Sequence, residues 1–177
     1  ENPKIGLIAA DIDIPDYAQQ LNVQLKDNSG VKEFIDSRNA QLVEIGERLV
    51  ATGLNVLFCS RELHPAVIEH LAGNDIYAVR RVRRSDMEAL AKSTDARIVM
   101  NIDTFSDKDL GTAELLEEVS IGERPMIKIT GTPNKSTVSV LVRAPTHHVV
   151  EEIKRAFDDA IGVVSIASED QSVVPGG

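Results

Sequence analysis

Few segments of this chain carry residue types whose spacing suits chemistry. Gly131-Thr132-Pro133-Asn134-Lys135-Ser136-Thr137 brushes against the phosphate-loop pattern. That pattern is G-x-x-x-x-G-K-[ST], and its second glycine lets backbone N–H groups surround a phosphate. Here Asn134 stands before the lysine, Pro133 offers no N–H, and no helix obviously follows. The segment therefore reads as a hairpin turn. Arg80, Arg81, Arg83 and Arg84 form the one dense positive cluster. A nucleic-acid surface combines a broadly basic surround with aromatic side chains for stacking. Tyr77 stands alone near the cluster and the chain is acidic. The arginines read instead as a strand end that pairs with nearby carboxylates or makes a salt contact with another subunit.

Metal and acid–base patterns are weaker still. Asp11, Asp13 and Asp16, and again Asp103, Asp107 and Asp109, lack the glycine and the distal glutamate of a calcium loop. Both read as solvated turns. His147 and His148 are adjacent, so on a helix they point about 100° apart and cannot easily share a metal. His64 and His70 also fall off one helical face. Cys59 lies in an apolar run with no paired base, so it reads as an inert core thiol. No catalytic residue, metal site or cofactor site is assigned to this chain.

The elements that position these residues follow from periodicity. Ile5 to Ile14 reads as a strand whose end is half exposed, and Asn22 to Lys26 as a short second strand. Val31, Phe34 and Ile35 then fall on one helical face, Asp36 to Gln41 is polar, and Leu42, Ile45 and Leu49 resume helical spacing. Residues 29–52 therefore predict a short helix, a polar break and a longer helix ending at Thr52-Gly53. Asn55 to Cys59 is a buried strand. Pro65 opens a helix that Gly73 closes and that carries Val67, Ile68 and Leu71. Ile76 to Val82 is another strand. Ser85 and Glu88 form a capping box for the next helix, and Ala96 to Met100 is strand-like again. Residues 112–143 read as β-hairpin material. Val149, Val150, Ile153, Phe157 and Ile161 mark a long amphipathic helix, followed from Ser165 by a turn-rich tail. Strand–helix alternation followed by consecutive strands gives a mixed α/β domain.

The composition fits one domain with an appended segment. The chain has 177 residues, 42% of them hydrophobic and only 3% aromatic, so the core is aliphatic. The net charge is -9. Nucleic acid and anionic membranes are repelled on average and are not the expected partners. The single cysteine fits a reducing, cytoplasmic compartment. No apolar run approaches the ~20 residues of a membrane span. The start Glu1-Asn2-Pro3 has no initiator Met, and the end falls in a Gly-rich turn. Both lead us to expect a piece of a longer chain.

One stretch is more specific than any of these patterns. Asp75-Ile76-Tyr77-Ala78-Val79-Arg80-Arg81-Val82-Arg83-Arg84-Ser85-Asp86-Met87-Glu88-Ala89-Leu90-Ala91-Lys92 resembles, nearly position for position, a stretch of the apical domain of group II chaperonins, the archaeal thermosome and its eukaryotic cytosolic relatives. Further likenesses keep the family's order. They are Asn2 to Ile8, Gly53 to Cys59, Val138 to Arg143 with Thr146 to Glu152, and Val173 to Gly177. Ala144-Pro145 departs from the family's usual Gly-Gly, which should stiffen the connection there. Gly162 stands where the family often has Arg.

The resemblance implies a β-sandwich-like α/β apical domain flanked by helices, with a helical protrusion. Residues 1–145 would be the apical domain, with the protrusion at about 27–52. Residues 146–177 would begin the returning intermediate-domain segment. The equatorial ATPase domain, with its ATP and Mg, would lie outside this chain. By position, Val67, Ile68, His70 and Leu71 would contribute to binding non-native polypeptide. Some of these apolar side chains must also anchor their helix, so not all four can face a client. Glu62, Glu69 and Arg61 would add polar selectivity. Val31, Phe34 and Ile35 would sit on the built-in lid, partly exposed. The implied partners are unfolded or partly folded polypeptides and neighbouring subunits in a ring, with no nucleic acid and no membrane. The implied function is protein folding by an ATP-dependent cytoplasmic chaperone, of which this chain itself is not the enzyme. Two other readings remain on residue patterns alone: a small stand-alone α/β enzyme, and a module that binds a single partner.

Overall fold

The computed structural model describes residues 2–12, 28–122, 124–135 and 137–172; for residues 28–38 and Arg124 it describes the backbone alone. The chain divides into two units, Glu1–Thr137 and Val138–Gly177.

The first unit is built on β1 (Lys4–Ile8), whose sequence KIGLI is buried from Ile5 onward. β2 (Val56–Cys59) pairs with it in parallel, and β3 (Tyr77–Val79) pairs in parallel with β2. The other edge of β1 is shared. β4 (Ile98–Val99) runs parallel to Leu7 and Ile8, while β5 (Gly111–Thr112) runs antiparallel to Lys4 and Ile5. Strands covered on both faces read as unbroken apolar runs rather than alternations, which is why VLFC of β2 is buried throughout.

The two faces hold separate cores. Ile8, Leu57 and Cys59 pack with Leu42 and Leu49 of α1 (Asn28–Ala51) and with Val67 and Leu71 of α2 (Pro65–Gly73). Ile5, Leu7, Val56 and Phe58 pack on the opposite side with Met87 of α3 (Arg84–Thr94). A hairpin of β6 (Leu115–Ile121) and β7 (Arg124–Thr130) completes that side through Leu116, Ile127 and Ile129. The result is a helix layer, a central sheet, and a layer of one helix with a two-stranded sheet. This is the expected mixed α/β core flanked by helices.

Close approach requires glycine at two positions, one in the helix layer and one in the central sheet. A Cβ on Gly46 of α1 would lie 2.6 Å from His70 of α2, so the missing side chain lets the two helices meet. A Cβ on Gly111 would lie 2.6 Å from Thr94 Oγ1 and 2.7 Å from Ala96 Cβ.

Several sequence expectations are corrected. The polar stretch from Asp36 to Gln41 does not break the helix: α1 runs unbroken from Asn28 to Ala51. Asn39 and Gln41 are exposed, so their polarity reports a solvated face. The first strand stops at Ile8, and Ile12 makes only a single parallel bridge with Leu63. The Ser85–Glu88 capping box does not form, because the N-cap of α3 is Arg83, two residues earlier. Ser85 Oγ donates to Asp86, and Glu88 pairs with Arg84. Hairpin structure covers 115–130 but not 137–143, which carry no strand. The strand expected at Asn22 to Lys26 lies outside the described residues.

The second unit contains α4 (His147–Asp170), so the tail expected from Ser165 is helical to Asp170. Thr146 caps it, its Oγ1 accepting from the Val149 N–H at 3.4 Å. None of its residues is buried, and Phe157, Ile161 and Val164 are 43%, 54% and 67% exposed. No helix among the described residues is long and apolar enough to cross a membrane.

Candidate functional site

The surface built around α2 gathers most of the residues singled out from the sequence. Pro65 occupies the first turn, where its missing N–H costs nothing, and this makes His64 the N-cap. His64 Nδ1 accepts from the Ala66 N–H at 3.2 Å. At the far end Asn74 Nδ2 donates to the His70 carbonyl at 2.8 Å. Both ends of this nine-residue helix are thereby fixed.

The helix is anchored from one side only. Val67 and Leu71 have no exposed surface and belong to the core. They are the anchors that the sequence pattern required of part of this face, and they are closed to the surface. Ile68 and His70 are half-buried, while Pro65, Glu69 and Ala72 are exposed. The accessible strip of α2 is therefore Pro65, Ile68, Glu69 and Ala72, with the His70 ring wedged over Gly46. The second group expected from sequence, Val31, Phe34 and Ile35, falls in the first half of α1. Their side chains lie outside the described residues. The second half of α1, through Leu42 and Leu49, is core.

A charged rim borders the N-terminus of α2. Glu62 takes Arg81 through Nε on one carboxylate oxygen and Arg80 through Nη1 on the other at 3.7 Å. The Asp11 carboxylate accepts from the Glu62 N–H at 3.3 Å. Arg84 pairs with Glu88 at 2.9 Å. Three of the four clustered arginines thus pair with neighbouring carboxylates. Cys59 is buried beside the rim and its Sγ donates to the Ala10 carbonyl at 3.3 Å. Burial pushes this thiol up to about 11, with smaller upward pushes from Asp11 and Glu62 and a backbone hydrogen bond at Arg61 acting the other way. At neutral pH it is a protonated core group and no nucleophile.

The phosphate-loop-like segment is a loop leaving β7. Gly131 has φ +67, its backbone turns over Glu114, and the Asn134 N–H bonds to the Ser93 carbonyl at 3.1 Å. The next helix begins only at His147. No group of three or more His, Cys, Asp and Glu placed to hold a metal ion occurs among the described residues.

Two features escaped the sequence reading. Asp109 is nearly buried, and its carboxylate accepts from the Ser106 N–H at 3.0 Å and the Ser106 hydroxyl at 2.9 Å, locking the turn that leads into β5. A serine three residues before an aspartate was the available signal. The cap at His64 was legible from Pro65 alone, since proline at the first helical position names the residue before it as the cap.

Residues 1–177 match the TCP-1/cpn60 chaperonin family, and the chain belongs to that family. It is 41% identical over its whole length to a thermosome subunit of Methanopyrus kandleri, covering 32% of that protein. It is 39% identical to the alpha thermosome subunit of Thermoplasma acidophilum, again over 100% of this chain and 32% of the relative. The fold is similar to an open-state monomer of a group II chaperonin from Methanococcoides burtonii, with a TM-score of 0.78 and 32% identity, over 100% of this chain and 38% of that one. The chain thus spans about a third of the length of the curated relatives it matches.

Proposed function

We propose that this chain is the apical, polypeptide-binding part of a group II chaperonin subunit. The observation that carries the reading is the end-to-end likeness to thermosome subunits over about a third of their length. The geometry of α2 supports it. A helix pinned by Val67 and Leu71 offers Pro65, Ile68, Glu69 and Ala72 outward, mixing apolar and charged groups as loose recognition of unfolded chains requires. In this reading Ile68 is the client-facing member of the four residues, Val67 and Leu71 hold the helix, and the His70 ring packs against Gly46 of α1.

The remaining assignments follow from the same likeness. Residues 1–145 are the apical domain and 146–177 the start of the returning intermediate-domain segment. The uncovered face of α4, with Phe157, Ile161 and Val164, docks on the rest of the subunit, since an apolar stripe of this extent on a water-exposed helix calls for cover. The first half of α1, with Val31, Phe34 and Ile35, belongs to the lid. ATP and Mg are handled by the equatorial domain outside this chain. The chain itself neither binds nor hydrolyses nucleotide. Neighbouring subunits join it in a cytoplasmic ring.

Binding is tested by titrating the isolated chain with one polypeptide in its folded and its permanently unfolded form. Weak binding of the unfolded form alone, reduced several-fold by Ile68→Ser, is expected. Equal binding of both forms, or tight binding of the folded one, overturns the reading. Saturable nucleotide binding in equilibrium dialysis refutes the nucleotide assignment. For the lid, hydrogen exchange should be faster over 28–38 than over 42–51. Equally slow exchange along all of α1 removes that assignment.

A further inference from the structure

We infer that the arginine-rich carboxyl edge of the sheet selects the client, so that the segments held here are apolar stretches flanked by acidic residues. The inference rests on the polypeptide-binding reading above and names its substrate class.

Positive charge is concentrated in an otherwise acidic chain of net charge -9. Arg61, Arg80, Arg81, Arg83 and Arg84 are all exposed. They leave the carboxyl ends of β2 and β3, and the two segments lie side by side. The Arg81 N–H donates to the Arg61 carbonyl at 3.2 Å and the Val82 N–H to the Cys59 carbonyl at 3.0 Å. Arg81 is held at φ +59, the left-handed region that side chains other than glycine rarely adopt. Its bond to Glu62 helps to fix it there.

Counter-charge in the structure is incomplete. Glu62 alone serves both Arg80 and Arg81, and Glu88 serves Arg84. Arg61 and Arg83 have no ion pair among the described residues. Two helix N-termini add to the same field, because α2 opens at Pro65 and α3 at Arg84. Each N-terminus carries roughly half a positive charge.

Pro65 and Ile68, the apolar part of the α2 strip, follow Arg61 by four and seven residues in the chain, and Glu62 beside Arg61 holds Arg80 and Arg81. A bound segment that lays an apolar side chain on Ile68 brings its neighbours over the arginines. The guanidinium fork suits a carboxylate, which it engages with two parallel hydrogen bonds. An exposed lysine there meets like charge. Selection of this kind acts through long-range steering and through rejection of the wrong sign, and salt weakens both.

The test uses two synthetic peptides that share one apolar core. One is flanked by aspartates and the other by lysines, and both are titrated against the 177-residue chain by fluorescence anisotropy. At low salt the aspartate peptide should bind about tenfold tighter or more, and the gap should close at about 0.5 M salt. The exposed double variant Arg61→Gln, Arg83→Gln should bring the ratio towards one, while Arg83→Lys should keep part of it. Equal affinities, a preference for lysine, or an unchanged ratio in the double variant overturns the charge selection and leaves the polypeptide-binding reading standing. Failure of both peptides to bind overturns both. Tighter binding of a single-stranded oligonucleotide than of either peptide also overturns the inference, because the edge would then be a phosphate surface.

Discussion

A methyl group on Gly111 has nowhere to go. It would meet the backbone carbonyl of Thr94 at 2.7 Å as well as the Thr94 hydroxyl, and backbone cannot rotate aside as a side chain can. That hydroxyl is itself committed, donating to the Leu90 carbonyl at 2.7 Å at the end of α3. Gly111→Ala should therefore destabilise the first unit by about 1–3 kcal/mol, the usual range for overpacking. Urea denaturation measures it, and an unchanged midpoint would mean the strand shifts freely. Cys59 gives a residue-scale prediction with a pH sign. Its thiol stays protonated in the fold up to about 11, while in the unfolded chain it titrates near ~8.5. A folded value above the unfolded one means the stability is full below the unfolded value and is lost as pH rises towards the folded one. Stability should hold to about pH 8.5 and then fall by up to ~1.4 kcal/mol per pH unit from this group. Cys59→Ala should flatten that slope, and a slope untouched by the substitution would assign the loss to other groups.

At the scale of an element, α2 is a nine-residue helix, too short to persist without caps and packing. Removing the His64 acceptor with His64→Ala should cost about 1 kcal/mol, and His64→Asp should restore the loss or exceed it, since a carboxylate both caps and suits the helix N-terminus. Hydrogen exchange in the first turn of α2 reads this directly, and identical exchange in all three proteins would deny His64 a capping role. The same helix shows what could be read from sequence. Pro65 and Gly73 marked its two ends, and both hold. Its inward and outward faces were less legible. Val67, Ile68 and Leu71 are chemically alike, and only the packing of α2 against the sheet and α1 separates buried Val67 and Leu71 from half-buried Ile68. In α1 the polar run from Asp36 to Gln41 resembled a break because solvent exposure and helix termination both draw polar residues. At Ser85 a capping pattern lost to a cap two residues earlier, at Arg83, and Arg84 reaches Glu88 across one turn. The alternation of residues 137–143 favours a strand, yet a strand needs a partner edge, and sequence periodicity does not supply one.

At the scale of the whole molecule, the surface proposed to bind polypeptide is a narrow strip on one short helix, and a strip of that kind gives weak affinity by itself. Weakness would suit the proposed role, in which a client must be released. Strength then has to come from repetition. When several copies are held together, the first contact presents the rest of the client to the other copies at an effective concentration near the millimolar range, and avidity can exceed single-site affinity by about 10²–10⁴. Joining this chain to a small oligomeric scaffold through a flexible linker should therefore raise its apparent affinity for a long unfolded polypeptide by at least ~100-fold. The same fusion should leave affinity for a peptide that spans only one strip unchanged, because a short ligand cannot bridge copies. Surface plasmon resonance with both ligands on both proteins makes the comparison. A gain for the short peptide as well would show that oligomerisation alters the strip itself, and no gain for the long polypeptide would show that clients do not engage several strips at once. Ile68→Ser carried in every copy should multiply its penalty in the oligomer, since each lost contact weakens every bridged site, and this separates avidity through α2 from non-specific adhesion through the exposed face of α4.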